Sequence, residues 1–236
     1  MCTVSFVCTN DTIIITSNRD EKVIRPSAIP PKNYTLNGKN IIYPKDLKAG
    51  GTWYVVDENG TVLVLLNGAD EKHQLQLPYR KSRGLIVLEM IGSASPKRFW
   101  DEIDLEKIEP FTLVLFQEKQ LFQLRWNGVE KSTVLLEIDK NYVWSSSTLY
   151  SKEIREQRSS WFYTFLEFNP EITAAKMLHF HRYTEADNNE HGLVINRNDE
   201  LKTLSITQTV IEKNKVMIHH LDLIGDKDYS KTFISI

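Results

Sequence analysis

The sequence predicts an α+β fold: two stacked, mostly antiparallel sheets with a pair of helices outside each. Three observations carry this. Segments with strand and helix patterns come in blocks: strands, two helices, strands, two helices, strands. Tight turns separate consecutive strands, and such turns join antiparallel neighbours. The helices come in pairs and not one per strand, which argues against a doubly wound parallel sheet.

Taken in order, residues 2–8 alternate, with Val4 and Phe6 on one face and Thr3 and Ser5 on the other. Thr9-Asn10-Asp11 is a turn signal, and Thr12 to Ser17 is the return strand. Residues 22–49 carry Pro26, Pro30, Pro31, Pro44 and Gly38 and read as a long irregular loop. Gly50-Gly51-Thr52-Trp53 opens a strand, Asp57-Glu58-Asn59-Gly60 is a hairpin turn, and 61–66 returns. Ser82 is placed to cap a helix reaching Met90, and Ser95-Pro96 to start another. Strands follow near 111–117, 121–126, 132–138 and 142–146, then helices over 151–168 and 171–183. The last strands fall near 192–196, 203–211, 215–222 and 231–235.

Length and composition bound the function. The 236 residues suit one large domain, 1–236, and no linker or internal repeat divides them. With 29 basic and 31 acidic residues, the net charge of -2 gives no support to nucleic-acid binding by a basic face. Two cysteines, Cys2 and Cys8, are too few for a disulfide framework or a structural zinc site. No run approaches the roughly 18 apolar residues of a membrane span. The first residues lack the basic start and apolar stretch of a signal peptide, so a cytoplasmic protein is expected.

Cys2 is the first candidate for chemistry. Removal of Met1 before a small residue leaves Cys2 with a thiol and a free α-amine together. That amine, with a reference pKa of about 7.7–8.0, is partly neutral near pH 7 and serves as a base beside its own nucleophile. The same residue also reads as a small apolar start to a buried strand. Asn18-Arg19-Asp20-Glu21 is the second candidate. A hairpin centred near Asn10 sets Cys2 opposite residue 18, within one position. Arg19 there favours the thiolate, and Asp20 or Glu21 holds or orients the amine. An ion-paired strand end is the plainer alternative.

The spaced motifs Met1-Cys2, Ser17-Asn18-Arg19-Asp20-Glu21, Arg25-Pro26-Ser27, Gly50-Gly51-Thr52-Trp53 and Asn67 resemble the NRDE family, also called the transport and Golgi organisation protein 2 family. The likeness covers the first 70 residues, and Ser82-Arg83-Gly84 continues it. That family resembles the N-terminal nucleophile hydrolases, especially the penicillin V acylase and bile salt hydrolase branch. The resemblance implies a four-layer αββα sandwich, with Cys2 as nucleophile and its amine as base. It also implies Arg19 as thiolate stabiliser, Asp20 as amine orienter and Asn67 as oxyanion donor. Asn18, Trp53 and, more loosely, Arg197 fall on the substrate side of the same scheme. In that branch an arginine stands three positions before the aspartate, where this chain has Ser17. A second family asparagine is replaced here by the serines of Ser145-Ser146-Ser147.

The expected function is a cysteine amidohydrolase acting on the carbon–nitrogen bond of a small or lipid-like amide. The alternative is a non-catalytic haem or acyl-lipid carrier on the same fold. No cofactor is expected. Neither His179 with His181 nor His219 with His220 supplies a metal site, because each pair points to opposite faces of its element.

Overall fold

In the computed structural model, which describes residues 3–9 and 12–234, the first half runs β1 (Thr3–Thr9), β2 (Thr12–Lys22), β3 (Ile29–Leu36), β4 (Lys39–Lys45), β5 (Tyr54–Asp57), β6 (Val62–Asn67), α1 (Arg83–Gly92), α2 (Pro96–Glu102). The second half runs β7 (Phe111–Gln117), β8 (Gln120–Trp126), β9 (Lys131–Leu136), β10 (Tyr142–Ser145), α3 (Lys152–Phe168), α4 (Ala174–Tyr183), β11 (Asn196–Arg197), β12 (Leu201–Glu212), β13 (Lys215–Asp222), β14 (Lys227–Ile234). The first sheet has the order β10-β1-β2-β12-β13-β14, with β11 on β12. The second runs β3 to β9 in chain order. All the pairings described are antiparallel. Helices α1 and α2 pack on β5, β6 and β7, while α3 and α4 pack on β10, β2 and β12. This is the α+β sandwich that the segment order predicts.

Alternation along β1 and β2 decides what faces what. Val4, Phe6, Ile13 and Ile15 enter the core between the sheets, whereas Val7 and Ile14 pack against Phe162, Met177 and Phe180 of the outer helices. Both faces of the β1–β2 hairpin are therefore covered.

The supposed loop over 22–49 contains a hairpin, β3–β4. The prolines in it are compatible with a strand for a physical reason. β3 is the edge of its sheet, and the register shifts between Ile29 and Lys32, where Pro30 and Pro31 sit. Edge positions and bulges are where a residue without an N–H does no harm. The turn is Asn37-Gly38, with φ of 50° and 82°, the positive pair that a two-residue hairpin turn needs. The strand predicted near 192–196 is also corrected: only Asn196–Arg197 pairs as strand. Leu193 and Ile195 are buried without joining a ladder there. The predicted turn residues Asn10 and Asp11 lie outside the described residues, as does Cys2.

Candidate active site

The β1–β2 register pairs Thr3 with Asn18, and β10 brings Ser145 opposite Thr3 on the other side. The start of β1 thus lies between Asn18-Arg19-Asp20 and Ser145-Ser146-Ser147. Strand alternation then sends Arg19 toward the second sheet and Asn18 and Asp20 toward the helices.

Arg19 is buried. Its Nη2 donates to Asp46 Oδ2 at 2.9 Å, and its guanidinium carbon lies 4.1 Å from the centre of the Trp53 ring. Burial lowers its pKa from the usual arginine value, opposed in part by the Asp46 charge. Asp46 also takes two bonds from Arg25, at 2.7 and 3.0 Å, and one from the Ala49 amide at 2.8 Å. Burial alone would raise the Asp46 carboxyl. The bonds from Arg25 and Ala49, with the charges of Arg25 and Arg19, outweigh it and hold the group below its ordinary value.

The glycine motifs set this geometry. A Cβ on Gly51 would come 2.3 Å from the Gly84 carbonyl carbon. The close approach lets Thr52 N–H donate to Gly84 O at 3.1 Å, which ties the 50–53 segment to the start of α1. Trp53 is held there under Arg19, with its indole N–H buried and without a partner among the described residues.

Asn67 ends β6, and its side-chain amide has no partner among the described residues. It lines two cavities. The smaller, about 110 Å³, is also lined by Arg19, Trp53, Arg25 and Arg83. The larger, about 440 Å³, is lined by Ser145, Ser146, Ser147, Leu66, Val143 and Trp144 among others. Ser146 Oγ donates to the Asn67 carbonyl at 2.8 Å, so the serine segment braces Asn67 through its backbone.

On the helix side, Asp20 accepts from Tyr150 at 2.7 Å and from Thr203 Oγ1 at 2.6 Å. The Tyr150 ring meets two guanidinium groups, Arg158 at 3.6 Å and Arg197 at 5.2 Å. Arg197 also donates to Glu190 O and pairs with the Glu190 carboxylate at 3.1 Å. It meets the ring of Tyr150, which bonds Asp20, and lines neither cavity. Asn18 likewise faces away from both cavities. Its amide donates to the carbonyls of His181 and Leu193, and its oxygen accepts from His181 Nδ1. With that tautomer, His181 Nε2 accepts from Ser5 Oγ at 2.7 Å. Burial, with the Arg158 charge second, pushes the His181 pKa down to about 3, so the ring is neutral.

Arg158 is the residue that sequence reasoning missed. It donates to Thr3 Oγ1 at 2.7 Å and to the carbonyls of His191 and Gly192. Its signal was available: it stands four residues before Phe162, on the buried stripe of α3. Tyr150 and Asp46 carried no comparable signal. Among the described residues, no group of His, Cys, Asp and Glu side chains is arranged to hold a metal ion.

A family model described as Transport and Golgi organisation 2 matches residues 1–228. The chain belongs to that family. Solved structures align with this transport and Golgi organisation 2 family chain over most or all of its length. A Caenorhabditis elegans ortholog of N-acylethanolamine-hydrolyzing acid amidase aligns with a TM-score of 0.65 at 10% identity, covering 88% of this chain and 92% of its own. A variant of the conjugated bile acid hydrolase of Clostridium perfringens aligns with a TM-score of 0.53 at 11% identity, covering 100% and 97%. A second variant of that hydrolase gives 0.53 at 12% identity with the same coverage. The sequence matches no curated protein. At these identities the likeness establishes the fold alone, an α+β sandwich like that of the N-terminal nucleophile hydrolases.

Proposed function

We propose that the chain is an N-terminal cysteine amidohydrolase cleaving the carbon–nitrogen bond of a small or lipid-like amide. One observation carries the reading: Arg19 and Asn67 line a single cavity at the end of the sandwich where β1 begins. In this scheme Met1 is removed and the Cys2 thiol gives its proton to its own α-amine. The thiolate, favoured by the Arg19 charge, attacks the amide carbon. Asn67 donates to the oxygen as negative charge builds on it. The α-ammonium then protonates the leaving amine, the carbon–nitrogen bond breaks, and water hydrolyses the thioester. Arg19 and Asp20 face opposite sides of the sheet, so their roles divide. Arg19 acts on the thiol, while Asp20, braced by Tyr150 and Thr203, holds the amine. Trp53 forms the floor under Arg19.

The carrier alternative draws support from the larger cavity, whose wall of Leu66, Val143 and Trp144 suits an acyl chain. One experiment separates the two. Purified protein is incubated with a panel of N-acyl aminomethylcoumarins of increasing chain length, and coumarin release is followed by fluorescence. Release by the native chain, lost in Cys2→Ala, supports hydrolysis. No release, with acyl-chain or haem binding retained in Cys2→Ala, supports carriage.

A further inference from the structure

The larger cavity opens between the sheets, bounded by β6, β7 and β8 on one side and by β10 and α3 on the other. Two guanidinium groups stand on its walls, Arg125 from β8 and Arg155 from α3. Their side chains are mostly buried, 24% and 21% exposed, and each has an Nε with no partner among the described residues. The acids that meet them are neighbours on the segment after β6. Asp70 pairs with Arg125 Nη1, and Glu71 lies 3.6 Å from Arg155 Nη2. Those carboxylates are 63% and 77% exposed. The acids are thus loop residues that reach inward to cations fixed in the walls.

Exposed carboxylates hold a cation weakly, because water competes for them. A guanidinium in a partly apolar recess, by contrast, presents a planar fork that fits a carboxylate or phosphate with two bonds. The apolar wall of Leu66, Val143 and Trp144 shares the recess with these cations. The segment carrying the acids is anchored just beyond them, where His73 lies 3.4 Å from Glu109 and Arg80 N–H donates to Lys107 O at 2.8 Å. The Glu71 carbonyl is itself held by Ser147 Oγ at 3.2 Å, so releasing the two acids needs their exposed side chains to turn outward and not the backbone to move.

We propose that this cavity binds an amphipathic anion, a carboxylate or phosphate carried on an acyl chain. In this arrangement Asp70 and Glu71 occupy Arg125 and Arg155 when the ligand is absent. The proposal deepens the hydrolase reading by naming a substrate class. It rests on that reading for the ligand being a substrate, and not for the ligand being bound.

Isothermal titration of the Cys2→Ala protein with decanoate, decyl phosphate and 1-decanol tests it. The anions should bind at least about tenfold more tightly than the alcohol, the difference a charge-assisted bidentate contact makes. Arg125→Gln with Arg155→Gln should remove that preference while near-UV circular dichroism stays native. Asp70→Asn with Glu71→Gln should tighten anion binding severalfold, a result that a collapsed fold cannot give. Equal binding of alcohol and anions overturns the proposal, as does an unchanged preference in the arginine variant or weaker binding in the acid variant. Binding to decyl phosphate only in phosphatidylcholine vesicles, and not to the monomer, places the anion on a membrane surface and overturns the cavity. An unreactive Cys2 with anion binding intact defeats the hydrolase reading alone.

Discussion

The hydroxyl of Tyr150 donates to the Asp20 carboxylate at 2.7 Å, 130 residues away in the chain. The Arg158 guanidinium carbon lies 3.6 Å from the centre of the same ring, and the group also donates to Thr3. The start of β1 is therefore braced from the helix side by one connected set of groups. Tyr150→Phe should cost about 1–3 kcal/mol, as expected for losing a buried bond to a charged acceptor. Urea unfolding at pH 7 measures it. A change below a few tenths of a kcal/mol would show that the Asp20 carboxylate does not depend on the Tyr150 bond.

Acidification below about pH 6.5 should destabilise the fold through two buried histidines. Burial pushes His181 down to about 3 and, with the Arg19 charge adding to it and Asp222 opposing, His220 down to about 4. The unfolded values lie near 6.5, so between these limits the unfolded chain binds more protons than the folded one. Stability is thus full above about pH 6.5 and falls as pH drops below it, by up to about 1.4 kcal/mol per pH unit for each ring. Urea midpoints between pH 7.5 and 5 should fall accordingly. His181→Gln should flatten the slope; an equally steep slope in that variant would assign it to other groups.

Asp46→Asn leaves Arg19 buried without its bonded counter-charge, while Arg25 keeps Glu21 at 3.5 Å. The loss should be about 3–5 kcal/mol, the range found when one member of a buried pair is removed. Thermal and urea unfolding measure it. A loss under about 1 kcal/mol would mean that water fully solvates Arg19 in the smaller cavity.

Gly51→Ala and Gly38→Ala form a contrasting pair. At Gly51 the added carbon meets Gly84 backbone at 2.3 Å, which no rotamer change relieves. A loss of about 1–3 kcal/mol or more is expected, together with displacement of Trp53. At Gly38, with φ of 82° and nothing within 4 Å, only backbone strain of about 1–2 kcal/mol applies. Trp53 fluorescence should change in the first variant and not in the second.

Cys2, if it is the nucleophile, should lose Met1 by intact mass and alkylate faster than Cys8, which packs against the core between the sheets. Arg19→Ala should slow that alkylation, since a neighbouring charge commonly moves a pKa by about one to three units. Arg19→Lys should restore only part of the rate. Identical alkylation rates in native and Arg19→Ala protein would remove Arg19 from the site.

Much of this architecture was legible because it is local. Hairpin turns, the Ser95-Pro96 cap and the paired helices announce themselves within a few residues. The β3–β4 hairpin was obscured by its prolines, although Asn37-Gly38 marked its turn. The bracing of Asp20 was not legible. Tyr150, Arg158 and Thr203 reach it only through packing of segments more than a hundred residues apart. No periodicity in either segment encodes that meeting.

The sheet order has a consequence for synthesis on the ribosome. The β1–β2 hairpin is made first, yet its two outer edges are completed by β10 and β12, whose pairing residues begin at Tyr142 and Leu201. At about 5–20 residues per second, those partners emerge roughly 6 to 40 seconds after the hairpin itself. During that interval a nascent ribbon with one apolar face, carrying Val4, Phe6, Ile13 and Ile15, has two open edges. Such edges pair readily with other chains until β10 and β12 cover them, so the order of synthesis leaves the hairpin carrying the site's own residues exposed longest.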